Sequence, residues 1–222
     1  MSSVDEMLEQ LLTPERQKRI ETVLDARTES LTVVLDHVKN AHNISAVIRS
    51  CDAFGITRVH LVGEKFEYSR GIALGTEQWV LQEKHETAAQ AISELKKRNH
   101  KIVILQPKEK NGEASRSVID LPFNEPLALV FGNEKNGVCK EFHDVVDYYA
   151  HIPMSGFVDS FNISVAAAIC LFSSTLSQAK HTAHAHPLPE QSRKDIKSKW
   201  LTKRTKRADI VVKEFEKRSS QE

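Results

Sequence analysis

No stretch of this 222-residue chain approaches the ~18 consecutive apolar residues of a membrane span. The opening residues, MSSVDEMLEQLL, are acidic and lack the basic start and apolar core of a signal peptide. Both absences predict a cytoplasmic protein with no membrane partner. Cysteine is scarce: Cys51, Cys139 and Cys170 show no C-x-x-C spacing, and two of them lie in apolar helical patterns, which predicts buried free thiols. No sign of charge dominates either. The net charge of +1 says nothing by itself about nucleic acid.

Two nucleotide-binding signatures are missing. FGNEKNGVC (131–139) places Gly132 and Gly137 at G-x-x-x-x-G spacing, but Val138 and Cys139 stand where a P-loop needs Lys and Ser or Thr. No G-x-G-x-x-G follows a strand, so the usual dinucleotide fingerprint is absent too. His181, His184 and His186 precede Pro187 with no Cys or carboxylate companion close in sequence. They read as a polar linker, and no metal site is expected.

What is present is an ordinary globular composition, 40% hydrophobic and 27% charged, enough for one large domain with an appendage. Thr13-Pro14-Glu15 reads as a helix start, with Thr as N-cap and Pro at the first helical position, the helix running to about Arg27. LTVVLD (31–36), RVHLV (58–62), QWVLQ (78–82), KIVIL (101–105), LALVF (127–131) and DYYAHIP (147–153) read as strands. Between them, NAHNISAVIRSCDAFGI (40–56) is helical, with Asn43 as N-cap and Gly55 just past the C-terminus. TAAQAISELKKR (87–98) and FNISVAAAICLFSSTLSQ (161–178) are helical as well. The alternation predicts an α/β domain over residues 31–180, with a mainly parallel sheet and helices on both faces. A helical extension (1–30) and a basic helical arm (181–222) flank it.

Three stretches invite a functional reading. The 40–56 helix buries Ile44, Val47, Ile48 and Cys51 on one face and carries Ser45, Arg49 and Asp52 on the other. A surface arginine, with Asp52 as its ion-pair partner, is the plain explanation of Arg49. FGNEKNG empties a strand into a Gly-rich turn holding Asn133 and Glu134: a structural turn, or a ligand loop at the carboxyl end of a sheet. IPMSGFVDSFNIS (152–164) sets Ser160 and Asn162 just before a helix of small residues, either for tight packing or as a pocket floor. The basic run from Arg193 to Arg207, opposed only by Asp195, is either a solvated helix face or a phosphate-facing arm.

Taken together in order, HNISAVIRSCDAFG, LVFGNEKNGV and IPMSGFVDSFNISVAAAICLF resemble the motif set of the SPOUT class of RNA ribose methyltransferases, over most of residues 31–175. RIETVLDARTESLTVVLDHV and GTEQWV are similar to segments of the bacterial subgroup that methylates guanosine 18 of tRNA. The resemblance implies a deep trefoil knot in the C-terminal part of the domain, S-adenosylmethionine (SAM) bound there and released as S-adenosylhomocysteine, tRNA as substrate, and a homodimer formed through the knot region. None of this follows from periodicity.

Carried over residue by residue, the resemblance makes Arg49 the residue to which catalysis is ascribed, with Asn43, Glu134, Ser160 and Asn162 completing the catalytic set. It gives Gly132, Ile152 and Phe161 to the cofactor, largely through backbone groups, with Leu105 added at the end of its strand. Arg19 and Arg27 of the extension, His42, and Lys203, Arg204, Lys206 and Arg207 of the arm become candidates for RNA contact. Trp200 reads as packing for the arm. The chain departs from the pattern at Leu176 and Gln178, where tRNA enzymes often carry arginines, and at Phe161 in place of leucine. Ribosomal RNA or the tRNA wobble ribose as substrate stays open, as does a non-catalytic RNA-binding dimer.

Overall fold

The computed structural model describes residues 3–73, 75–107, 114–180 and 188–204. Strand β1 (Leu31–Asp36) is buried at every position, as an unbroken apolar run predicts for a strand covered on both faces. It lies near the middle of a seven-stranded sheet with β2 (Arg58–Val62), β3 (Leu81–His85), β4 (Lys101–Leu105), β5 (Ser115–Ser117), β6 (Leu127–Gly132) and β7 (Tyr148–His151). The spatial order is β3-β2-β1-β6-β4-β7-β5, and every pairing is parallel. β6 is thus inserted between β1 and β4, with Leu127 aligned to Leu31 on one side and to Lys101 on the other.

Successive β1 side chains point to opposite faces and enter two different cores. Val33 and Leu35 pack with Ile44, Val47, Ile48 and Cys51 of α3 (Ala41–Ala53) and Ala167, Cys170 and Leu171 of α7 (Ile163–Lys180). Val34 packs with Ala91 and Leu95 of α5 (Ala88–Lys97) and Phe142 of α6 (Lys140–His143). The β2–β3 connection contains the short α4 (Arg70–Ala73) and a 3-10 turn over Thr76–Gln78. No disulfide joins Cys51, Cys139 or Cys170, and Cys51 and Cys170 are buried.

Three sequence expectations shift. The N-cap of α3 is Asn40, whose side chain accepts from the amides of His42 at 2.9 Å and Asn43 at 3.3 Å. Asn43 therefore lies inside the first turn, and its own side-chain amide is released for a distant partner. Ser45 is buried rather than on an open face, its Oγ accepting the Ser69 amide at 2.8 Å. The strand expected at QWVLQ begins only at Leu81, because pairing with β2 aligns Arg58 with Leu81 and the preceding residues turn. Gly55 does follow the last α3 turn, at φ 74°, in the left-handed region glycine tolerates.

Helices α1 (Ser3–Gln10), α2 (Pro14–Asp25) and α8 (Glu190–Arg204) belong to a second unit, Met1–Arg27 with Pro187–Glu222, distinct from the α/β unit Thr28–His186. Thr13 caps α2 and Pro14 opens it. Much of the basic run on α8 has acidic partners within this unit. Arg193 pairs with Glu21 and, at 2.8 Å, with Asp25; Lys197 reaches Glu9 at 2.8 Å and Glu21 at 2.7 Å. Trp200 is buried, with the Arg27 guanidinium 5.3 Å from its ring centroid. Among the described residues no helix is long and apolar enough to cross a membrane. The histidine linker (181–187), Lys206 and Arg207 lie outside the described residues.

Candidate active site

The carboxyl ends of β6, β4 and β7 open into a cleft of about 300 Å³, where open α/β sheets commonly bind ligands. Its wall is built by the chain just after each strand. From β4 come Leu105, Gln106 and Pro107; from β6, Gly132, Asn133, Glu134 and Lys135; from the segment after β7, Ile152, Met154, Asp159, Ser160 and Phe161. All four residues expected at the cofactor, Leu105, Gly132, Ile152 and Phe161, therefore line one cavity, together with Glu134 and Ser160 of the catalytic set.

The β6 turn holds its shape by itself. Asn133 and Gly137 exchange backbone hydrogen bonds of 3.0 and 2.8 Å. The Asn133 side chain accepts from the Lys135 amide at 2.8 Å and donates to the His37 carbonyl at 2.9 Å. A Cβ on Gly132 would lie 2.2 Å from the Gly137 carbonyl carbon and the Val138 nitrogen, so only glycine lets the two arms of the turn close. Buried Asp36 pins the far end, its carboxylate accepting from the Cys139 amide and bonding His37 Nδ1, each at 2.7 Å.

The turn presents Glu134 to α3. Asn43 Nδ2 donates to Glu134 Oε1 at 2.6 Å, and Asn162 Nδ2 donates to Asn43 Oδ1 at 3.0 Å. Asn162 also orders the start of α7, accepting from the Ser164 amide at 2.9 Å and its hydroxyl at 2.6 Å. One chain of hydrogen bonds thus ties together three segments that are far apart in sequence. Arg49 is not in it. Six residues along α3 from Asn43, or about 9 Å of helix rise, it is exposed, with Nη1 3.5 Å from the Ile72 carbonyl.

The expected RNA-facing residues divide. Arg19 and His42 are exposed, as is Lys203; Arg204 ends α8. Arg27 is only 3% exposed and is held against Trp200, so the expectation that it faces RNA is corrected: its place is in the packing of the helical unit. Sequence reasoning missed Asp36 and Gln106 in the site. An acid closing an apolar strand run was a usable signal for Asp36, since buried carboxylates need partners. Nothing in sequence marked Gln106.

A second polar cluster lies apart from the cleft, on β2 and the edge strand β3. His60 is fully buried, its Nδ1 3.0 Å from His85 Nε2 and 3.4 Å from Glu83 Oε2. The spacing could hold a metal. However, His60 Nε2 is buried without a partner. A metal on Nδ1 would fix a proton on that nitrogen with nothing to accept it, whereas an Nδ1–H donor leaves only a lone pair unmet. The hydrogen-bonded histidine pair is therefore the favoured arrangement. Burial, reinforced by His85 and Arg58, lowers the His60 pKa to about 3. The unfolded chain takes up this proton near pH 6.5, so the contribution to stability is present above that pH and is lost as pH falls towards 3. Going from pH 7.5 to 5 should cost about 2 kcal/mol through His60 alone. Urea midpoints across that range should fall, and fall less in His60→Asn.

The parallel α/β sheet, with its glycine turn and its hydrogen-bonded carboxylate at the mouth of a cleft, defines a ligand-binding domain of the open-sheet type. Residues 30–172 match the model of the SpoU rRNA methylase family, and the chain belongs to that family. It is 34% identical to the tRNA (guanosine(18)-2'-O)-methyltransferase of Aquifex aeolicus over 198 residues, 87% of this chain and 92% of that one. The crystal structure of the A. aeolicus TrmH/SpoU tRNA modifying enzyme superposes with a TM-score of 0.76 at 33% identity, covering 85% of this chain and 96% of that one. The SpoU methyltransferase AviRb from Streptomyces viridochromogenes, solved in complex with the cofactor AdoMet, shares the fold at 22% identity and a TM-score of 0.62, over 71% of this chain and 64% of that one.

Proposed function

We propose that this chain transfers the methyl group of SAM to a ribose 2′-hydroxyl of tRNA, that of guanosine 18 in the D-loop. The observation that carries the reading is the Asn162–Asn43–Glu134 chain at the mouth of the cleft, formed by side chains from all three motif segments. The activity for which the A. aeolicus relative is named, similar over most of both chains, supports the substrate.

The lining fits SAM. The Gly132 turn gives the cleft a wall of backbone, Leu105, Ile152 and Phe161 supply apolar walls, and both polar atoms of the Gln106 side-chain amide are buried with no partner. Bound SAM would supply an electrophilic methyl group on a sulfonium. Asn43 and Asn162 hold Glu134 in place, and Ser160 stands beside them on the cleft wall. A guanidinium, with a pKa above ~12, is a poor base. Arg49 therefore acts by pairing with the phosphate next to the reacting ribose and stabilising the developing alkoxide, the hydroxyl proton leaving to water as the new oxygen–carbon bond forms.

Further parts of the reading rest on the same frame. The insertion of β6 between β1 and β4, with ligand loops on both sides, supports the trefoil knot. The outer face of α3 and α7 supports a homodimer: Ala46, Ser50, Phe54, Val165 and Phe172 line an open apolar groove there, and Phe172 is 52% exposed. Arg49 flanks this groove, between Ala46 and Ser50. Arg19, His42, Lys203 and Arg204, with Lys206 and Arg207, are the phosphate-contact candidates.

Labelled SAM, unmodified tRNA transcripts and nucleoside mapping test the function. A 2′-O-methylguanosine in the D-loop is the expected product. Label at the wobble ribose, or only on ribosomal RNA, would overturn the substrate while keeping the chemistry. Failure to bind SAM would leave a non-catalytic RNA-binding protein.

A further inference from the structure

Gln106 continues the line of β4, its backbone amide donating to the Ala150 carbonyl of β7 at 3.0 Å. Its side chain is unusual. Nε2 and Oε1 are both buried and neither has a hydrogen-bond partner. Leaving a buried donor or acceptor unmet is costly, so a primary amide with both ends unmet, on a residue of the cleft wall, gains by turning towards a partner that enters the cleft.

The position of the amide says which part of the ligand that is. The sheet order at this edge is β1-β6-β4-β7. Asn43 follows β1 and Glu134 follows β6, whereas Gln106 follows β4, so the amide stands a strand or more to one side of the catalytic chain, at ~4.8 Å per strand. The charged lining residues, Glu134, Lys135 and Asp159, lie on the β6 turn and on the segment leading to α7, none of them on β4. On and just after β4 the lining is instead Ile104, Leu105 and Pro107, with Ile152 following β7. The methyl group and the charged amino-acid end of SAM belong beside the charged, catalytic side. A flat, uncharged heterocycle with a donor and an acceptor along one edge suits the other.

We propose that the Gln106 side-chain amide reads the adenine edge of the cofactor, Oε1 accepting from the exocyclic N6 amino group and Nε2 donating to the adjacent ring nitrogen. Glutamine makes the same bidentate pair with adenine in DNA readout. Gln106 is thus a specificity residue for the methyl donor. The assignment rests on the SAM reading above and extends it from a pocket to a particular chemical group.

The test measures binding of S-adenosylhomocysteine and of its purine analogue lacking the 6-amino group, by calorimetry, to wild type and to Gln106→Met. Methionine keeps the length and bulk of the side chain without the amide. Wild type should prefer the adenine form roughly ten- to a hundred-fold, and Gln106→Met should bind the two forms equally. The thermal midpoint of the unliganded variant should equal or exceed that of wild type, because two unmet polar atoms are removed; this also establishes that the variant folds. Should it not fold, the Gln106 side-chain amide resonances of 15N-labelled wild type must shift with the adenine form and not with its analogue. An unchanged preference in Gln106→Met, or no preference in wild type, would overturn the assignment. No binding of either compound to wild type would overturn the SAM reading itself, and this assignment with it.

Discussion

Arg49→Ala should bind SAM as tightly as wild type and yet transfer methyl groups roughly 10²–10³-fold more slowly, the loss expected when one preorganised charge-stabilising donor is removed. The geometry makes the separation clean. Arg49 is exposed on α3, does not line the cleft, and among the described residues is anchored weakly by the Ile72 carbonyl at 3.5 Å. Its removal leaves the cofactor wall and the Asn162–Asn43–Glu134 chain untouched. Arg49→Lys keeps the charge but not the planar two-pronged fork that matches a phosphate, and should recover only part of the rate. Single-turnover methyl transfer beside SAM calorimetry checks this. Lost SAM affinity in Arg49→Ala, or full activity in Arg49→Lys, would remove Arg49 from the role given to it.

Gly132→Ala should do the reverse, striking binding and stability together. The added Cβ would meet the Gly137 carbonyl carbon and the Val138 nitrogen at 2.2 Å and the Gly137 oxygen at 2.4 Å, all backbone atoms that cannot swing aside. The turn must open, breaking the Asn133–Gly137 pair and carrying Glu134 away from Asn43. Overpacking of this kind costs up to about 3 kcal/mol, or roughly 5–10 °C of Tm for a domain this size. SAM affinity, read by calorimetry, should fall at least about a hundred-fold, because the same turn is a wall of the cleft. Gly156→Ala is the control: a Cβ there would meet nothing within 4 Å, and both properties should stay near wild type.

The sheet was legible wherever apolar runs were buried on both faces, as at LTVVLD, KIVIL and LALVF. It was not legible at its edges. β5 is Ser-Arg-Ser, with no periodicity to find, and β3 takes its bounds from its partner strand rather than from its own composition. The site divides in the same way. Its residue types could be read from three motif stretches, but local sequence favoured Asn43 as a cap because it cannot reveal that Asn40 has taken that place and that Asn43 reaches Glu134 across the fold. The basic arm misled for a related reason: the acids that oppose Arg193 and Lys197 sit at the other end of the chain. Gln106 shows its meaning only through what its amide lacks, which no sequence displays.

The place of β6 also governs how the chain can reach this state. β1 leaves the ribosome early, but one of its two ladder partners, β6, begins only at Leu127. Until then β1 can pair with β2 alone, and its other edge, apolar and unpaired, stays open to any passing strand. Pairings so distant along the chain make for slow folding and long-lived intermediates. A nascent chain halted between β4 and β6 should therefore be the species most in need of a chaperone.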